Sequence, residues 1–193
     1  MPQLPKTAWI PQIEVSAKNA GEAFVVVNNY RQNDWSAYLY HTTDYGMTWR
    51  RLVDDNDVSS FVTSVVQDQK EPNLLFLGTD AGLYISFDKG GKWHKWNNGL
   101  PSVQIRDMKI QSTFDDLVLG TFGRAFWVLD DISTILELCS AGKGIALLPQ
   151  HIIETKTVIN KGALYTAYRT NISMSPPKII PLEASVCKNE LWA

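Results

Sequence analysis

Apolar residues in this chain come in short bursts, separated by clusters of Gly, Asp, Asn and Lys. The bursts are Ala23–Asn28 (AFVVVN), Ala37–Thr42 (AYLYHT), Trp49–Val53, Phe61–Gln67, Asn73–Leu77, Gly82–Phe87, Arg106–Gln111, Asp116–Leu119 and Ala125–Leu129. Each has the length of a strand, and Val, Ile, Thr and aromatic residues dominate them. None sustains a helical apolar period over 11 residues. The pattern therefore predicts an all-β chain. Only Asp130–Leu138 reads as a short helix, capped by Ser133 or an aspartate.

The strands repeat. NLLFLGT (73–79) matches DLVLGT (116–121), and each is followed by a second glycine, Gly82 or Gly123, and another apolar strand. Gly78 and Gly120 stand 42 residues apart, as do Asp88 and Asp130. One copy earlier, the run from Tyr38 to Asp44 occupies the corresponding place, 44 residues before Asp88. A period of that size with about four strands per unit is the signature of a β-propeller blade. By this repeat, the Gly–Thr strands and the strand beginning at Arg106 belong near the inner side.

Two turns carry a sharper pattern. Thr42-Thr43-Asp44-Tyr45-Gly46-Met47-Thr48-Trp49 and Ser86-Phe87-Asp88-Lys89-Gly90-Gly91-Lys92-Trp93 both read Ser/Thr-x-Asp-x-Gly-x-x-Trp. In such a hairpin the carboxylate accepts backbone N–H groups across the turn. The glycine takes a positive φ without a Cβ clash, and the indole folds back over the turn.

This pattern resembles the Asp-box, or BNR repeat, of sialidases, sortilin-type propellers and oligoxyloglucan-acting glycoside hydrolases. A closer resemblance covers about residues 4–138. It rests on GLPSVQIRDM (99–108), on DLVLGTFGRAFWVLDD (116–131), and on the run 20–31 with Asp34 and Tyr38. These look like the closing part of bacterial BNR-repeat or sortilin-like "glycosyl hydrolases". The resemblance implies a partial β-propeller of about three four-stranded blades (1–138), followed by a C-terminal extension, linker or divergent cap (139–193). It also implies that Thr42, Asp44, Gly46, Trp49, Ser86, Asp88, Gly90 and Trp93 are structural, on turns away from the ligand face. Family members are commonly exported, which points to an extracellular or periplasmic setting.

A propeller closes with about 4 to 8 blades. Three would leave open edges and exposed faces. The expected partners are therefore the remaining blades of a longer propeller, or a second copy, together with a carbohydrate or peptide ligand.

Composition narrows the function. Of 193 residues, 18 are Lys or Arg and 20 are Asp or Glu, a net charge of −2 that argues against binding nucleic acid through bulk charge. No apolar run reaches the roughly 18 residues of a membrane span. Residues 1–6 lack an apolar signal core. The two cysteines, Cys139 and Cys187, allow one disulfide at most and have no recognisable activating neighbours.

The chemistry-bearing residues are sparse. His41, His94 and His151 lack metal-ligand spacing, Asp54–Asp57 lacks the glycine and distal glutamate of a calcium loop, and residues 141–144 do not form a P-loop. No metal or cofactor is expected. Asn171-Ile172-Ser173 matches a glycosylation acceptor, a short pattern common by chance. No Gly-x-Ser-x-Gly elbow is present. Asp107, Asp130 and Asp131 are candidate carboxylates for glycoside hydrolysis, but spacing alone assigns no catalytic pair. Tyr30, Arg31, Arg106, Asp107 and Arg124 are the candidate ligand-binding residues, for inner strands and loop faces of a propeller commonly hold ligands. For Arg106 and Arg124 the plain structural reading is an inter-blade ion pair. Three functions remain: a glycan- or peptide-binding scaffold, a piece of an active glycoside hydrolase with its catalytic residues elsewhere, and a protein-interaction or assembly factor.

Overall fold

The computed structural model describes residues 1–2, 4–96, 99–133 and 135. Its regular structure is almost wholly antiparallel β. Strands β1 (Trp9–Val15), β2 (Ala23–Asn29), β3 (Asp34–Thr42) and β4 (Arg50–Arg51) form one sheet in that order. Strands β5 (Val62–Gln67), β6 (Leu75–Thr79), β7 (Gly82–Ser86) and β8 (His94–Lys95) repeat the order in a second. Strands β9 (Ile105–Gln111), β10 (Asp116–Thr121) and β11 (Phe126–Leu129) form a third. A single 3-10 turn, Tyr30–Gln32, links β2 to β3.

The three sheets stack face to face. Phe24, Val26 and Leu39 of the first meet Val62, Val65, Leu75 and Leu77 of the second, with Leu52, Val53 and Val58 of the connecting segment between them. The opposite face of the second sheet packs Phe76, Leu83 and Ile85 on Ile105, Met108, Leu117 and Leu119 of the third. Adjacent strand residues face opposite sides. Leu75 and Leu77 thus serve one interface and Phe76 the other. This is why β5 to β7 are apolar without alternation: both faces are dry, and each large side chain contributes about 1.5–3 kcal/mol. Strand β5 contacts β1 on one side and β9 on the other. These leading strands form the convergent edge of the stack. The strand carrying Arg106 lies on that edge, and the Gly–Thr strands β6 and β10 stand one position further out.

Three differences from the sequence expectation have local causes. Strand β1 was hidden by Pro11, which sits at a register shift between Trp9 and Gln12, where a missing N–H costs no ladder bond. Strand β4, expected over Trp49–Val53, is only two residues long, and β8, which was not expected, holds two residues, too short for an apolar period. The third sheet has three strands among the described residues rather than four. After β11, Asp131 takes φ 51° and the Ile132 N–H bonds to the Asp115 carbonyl at 2.7 Å, which carries the chain back across the β9–β10 turn. The expected helix over 130–138 falls partly outside the described residues; Ile132 and Ile135, which are described, are buried in the core of the third sheet. The region 139–193, expected as an extension, linker or divergent cap, lies outside the described residues, with Cys139, His151, Asn171 and Cys187.

Candidate functional site

Antiparallel order gives the stack two distinct ends, and side chains fasten the sheets together at each. At one end lie the turns β1–β2, β3–β4, β5–β6, β7–β8 and β9–β10. There Lys18 Nζ donates to the Lys70 carbonyl at 3.1 Å, and Lys70 Nζ pairs with Asp115 at 2.6 Å. At the other end lie the turns β2–β3, β6–β7 and β10–β11 and the starts of β1, β5 and β9. There Gln104 Nε2 donates to Asp80 Oδ1 at 2.8 Å, and the Phe122 N–H to the Gln104 carbonyl at 2.8 Å.

The first end carries the two Asp-Gly-Trp turns. In the β3–β4 turn Thr42 Oγ1 donates to Asp44 Oδ1 and accepts the Gly46 N–H. Asp44 also accepts the Thr48 N–H at 2.8 Å and its hydroxyl, and Trp49 Nε1 donates to the Gly46 carbonyl at 2.8 Å. The β7–β8 turn repeats this with Ser86, Asp88, Gly90 and the Lys92 N–H. Positive φ at Tyr45–Gly46 and Lys89–Gly90 closes both turns. The Thr48 hydroxyl and N–H, with Thr42, hold the Asp44 carboxyl down at about 2. Both carboxylates are thus occupied by their own turns.

Beside these turns lies a buried polar group that the sequence did not mark. Glu22, 3% exposed, lies 2.8 Å from His41 Nε2 and 3.1 Å from Lys89 Nζ. Burial pushes its carboxyl up, but the bonds to His41 and Lys89 outweigh that and hold it below its ordinary value. His41 stacks on Phe24, ring centroids 4.6 Å apart. Because Lys89 belongs to the second sheet's turn, the group ties the two sheets together.

The opposite end is aromatic. The ring of Tyr30 stacks on Phe61 at 4.7 Å, and Trp35 approaches Phe61 at 5.6 Å and Tyr30 at 6.3 Å. The Arg31 guanidinium lies 4.6 Å from the centroid of Trp9 and 5.4 Å from that of Tyr30. Phe61 is buried, whereas Trp9 is 55% and Trp35 54% exposed. Two half-exposed indoles beside a guanidinium form an apolar shelf with a charged rim, the Trp35 ring tilted 43° from Tyr30. Such a surface suits ligands with an apolar face and polar edges.

The structure brings Tyr30 and Arg31 together on this shelf. It sets Arg106 and Arg124 at the same end on the third sheet, where Arg106 lies 5.4 Å from the Phe122 ring. Among the described residues neither arginine forms an ion pair. Asp107 lies apart from the shelf: it caps the Met108 N–H at 2.8 Å, and with Lys109 it sits near the half-buried Glu14 of β1. Burial, helped by Asp107, holds the Glu14 carboxyl above its ordinary value against the opposing pull of Lys109. The residues that sequence reasoning missed are Trp9, Trp35 and Phe61. The available signal was Trp35, a large ring inside the polar run Asn33-Asp34-Trp35-Ser36. Among the described residues no three His, Cys, Asp or Glu side chains gather to hold a metal ion, and no helix is long and apolar enough to cross a membrane.

Comparison with known proteins adds the fold family. No family model matches the chain. A probable oligoxyloglucan-reducing end-specific xyloglucanase from Neosartorya fischeri is 29% identical over 90 residues, covering 42% of this chain and 10% of that protein. The chain thus spans about a tenth of the curated relative it matches. Among solved structures, a GH74 enzyme from Niastella koreensis matches with TM-score 0.54 at 16% identity, over 63% of this chain and 21% of that one. The GH74 xyloglucanase of Xanthomonas campestris matches with TM-score 0.51 at 18% identity, over 63% and 22%. At these identities the likeness is one of fold: an all-β, propeller-like architecture of antiparallel sheets.

Proposed function

We propose that this chain is a segment of an Asp-box propeller, with each of its three sheets a blade, and that it serves as a glycan-binding scaffold. The observation that carries this is the shelf of Trp9, Tyr30 and Trp35 around Phe61. It lies at the end of the stack opposite the carboxylate-locked turns, where sheet-connecting loops converge. Exposed indoles stack on the C–H faces of pyranose rings, whereas a peptide groove would present backbone donors and acceptors along a free strand edge. The names of the xyloglucanase relatives favour a carbohydrate over a peptide. Arg106 and Arg124 extend the polar rim of the same end. The exposed apolar side chains Ile13 and Val15 on the first sheet and Phe126 and Val128 on the third are where further blades or a second copy would pack.

Affinity electrophoresis in gels containing xyloglucan, other soluble β-glucans or no glycan tests the reading. Retardation by a glycan, lost in Trp35→Ala, is expected; equal mobility in every gel counts against it.

The similarity to xyloglucanases favours a second reading, in which the chain is one part of an active glycoside hydrolase whose catalytic pair lies on other blades. Release of reducing sugar from xyloglucan by this chain alone would instead require a catalytic pair within it, for which Asp107, Asp130 and Asp131 are the candidates.

A further inference from the structure

We propose that Arg31 makes the aromatic shelf selective for glycans that carry a carboxylate, a deepening that rests on the glycan-binding reading above. The shelf would be complete as an apolar platform without a charge, yet the 3-10 turn Tyr30–Gln32 places an exposed arginine at its rim. The guanidinium carbon lies 4.6 Å from the centroid of Trp9 and 5.4 Å from that of Tyr30. Contacts of this kind engage the cation with the π-systems and leave its N–H donors to be satisfied by another group. Among the described residues no carboxylate lies within ion-pair distance of those donors. Asp34, three positions along, is engaged with Asn29, the Ser36 N–H and the Tyr38 hydroxyl. The guanidinium therefore lies against two rings and, among the described residues, has no acid of its own. A carboxylate is the group that fits two parallel N–H donors.

The rest of the shelf sets what bears that carboxylate. In a uronic acid the carboxylate is fixed to a pyranose ring, so a ring resting on Trp35 can present its acid to Arg31 without ordering a flexible chain. An acidic peptide offers the charge on a rotatable stem and gains less from the indoles.

Titration calorimetry on the full chain at low salt tests this with cellohexaose, with the same hexamer oxidised to the carboxylate at C6, and with hexaglutamate. The oxidised glycan is expected to bind about fivefold or more tighter than the neutral one. That ratio is expected to fall as salt rises. Arg31→Gln is expected to bring the ratio to about one, and Arg31→Lys to restore part of it, since a lysine keeps the charge but not the fork. Trp35→Ala is expected to weaken both glycans alike. Equal binding of the two glycans, or an unchanged ratio in Arg31→Gln, overturns the role of Arg31 while leaving glycan binding standing. Binding of neither glycan overturns both readings, and tighter binding of hexaglutamate than of the oxidised glycan assigns the shelf to acidic peptides instead.

Discussion

The indole of Trp93 donates to the carbonyl of Leu52, 41 residues earlier and on the neighbouring sheet, at 3.1 Å. Trp49, its counterpart in the preceding repeat, donates instead to Gly46 within its own turn. Two turns of one sequence pattern thus do different work. The second is an inter-sheet clasp, with Trp93 5% exposed in the core between the first two sheets. Trp93→Ala is expected to destabilise the fold by about 3–5 kcal/mol, and Trp93→Phe by about 1–2 kcal/mol for the lost bond and the orphaned carbonyl. Trp49→Ala should cost less than half as much as Trp93→Ala. Urea denaturation of the three variants checks the order, and equal losses at the two tryptophans would contradict it.

Gly90 makes the same point through its backbone. Its φ is +80°, and a Cβ there would meet Leu52 Cδ1 at 2.8 Å. Gly123, at φ +81°, has nothing within 4 Å of the corresponding point. Gly90→Ala is therefore expected to cost about 2 kcal/mol or more, from strain and clash together, and Gly123→Ala about 1 kcal/mol from strain alone. Thermal melts of the two variants separate the contributions.

Acid acts on the first turn. The Asp44 carboxyl titrates at about 2, below its ordinary 3.8. Between these values the unfolded chain binds more protons than the folded one, so this group's stabilisation is complete above about pH 4 and is lost as pH falls toward 2. Urea midpoints measured from pH 5 to pH 2.5 should fall less steeply in Asp44→Asn than in the parent chain.

The buried Glu22 group predicts a different loss. Removing its charge leaves His41 and Lys89 a neutral amide oxygen in place of a carboxylate, and Lys89 loses its ion pair. Glu22→Gln is expected to cost about 2 kcal/mol near neutral pH. Because the carboxyl lies below its ordinary value, the difference between variant and parent should shrink as pH falls through the carboxylate range. A difference that grew on acidification would contradict the assignment.

How much of this was legible in the sequence follows from burial. Strands β5 to β7 are dry on both faces, so their composition alone identifies them. The Asp-Gly-Trp turns are legible because the hydroxyl, carboxylate and glycine of each bond to one another and to the next N–H groups within a few residues. Strand β1 was not, since Pro11 interrupts it and Ile10, Ile13 and Val15 remain exposed. The shelf was half legible: Tyr30 and Arg31 are adjacent in sequence. Trp35 and Phe61 are 26 positions apart, and their rings meet at 5.6 Å only because the first two sheets stack, which no local pattern encodes. Glu22 and Lys89 are likewise joined by stacking alone.

With the aromatic end as the binding surface and the carboxylate-locked end structural, the tryptophans report on the two ends separately. In a ¹⁵N-labelled sample titrated with a β-glucan hexasaccharide, the indole N–H signals of Trp9 and Trp35 are expected to shift while those of Trp49 and Trp93 stay in place. Shifts confined to Trp49 and Trp93, or no shift at any indole at saturating glycan, would contradict that division of roles.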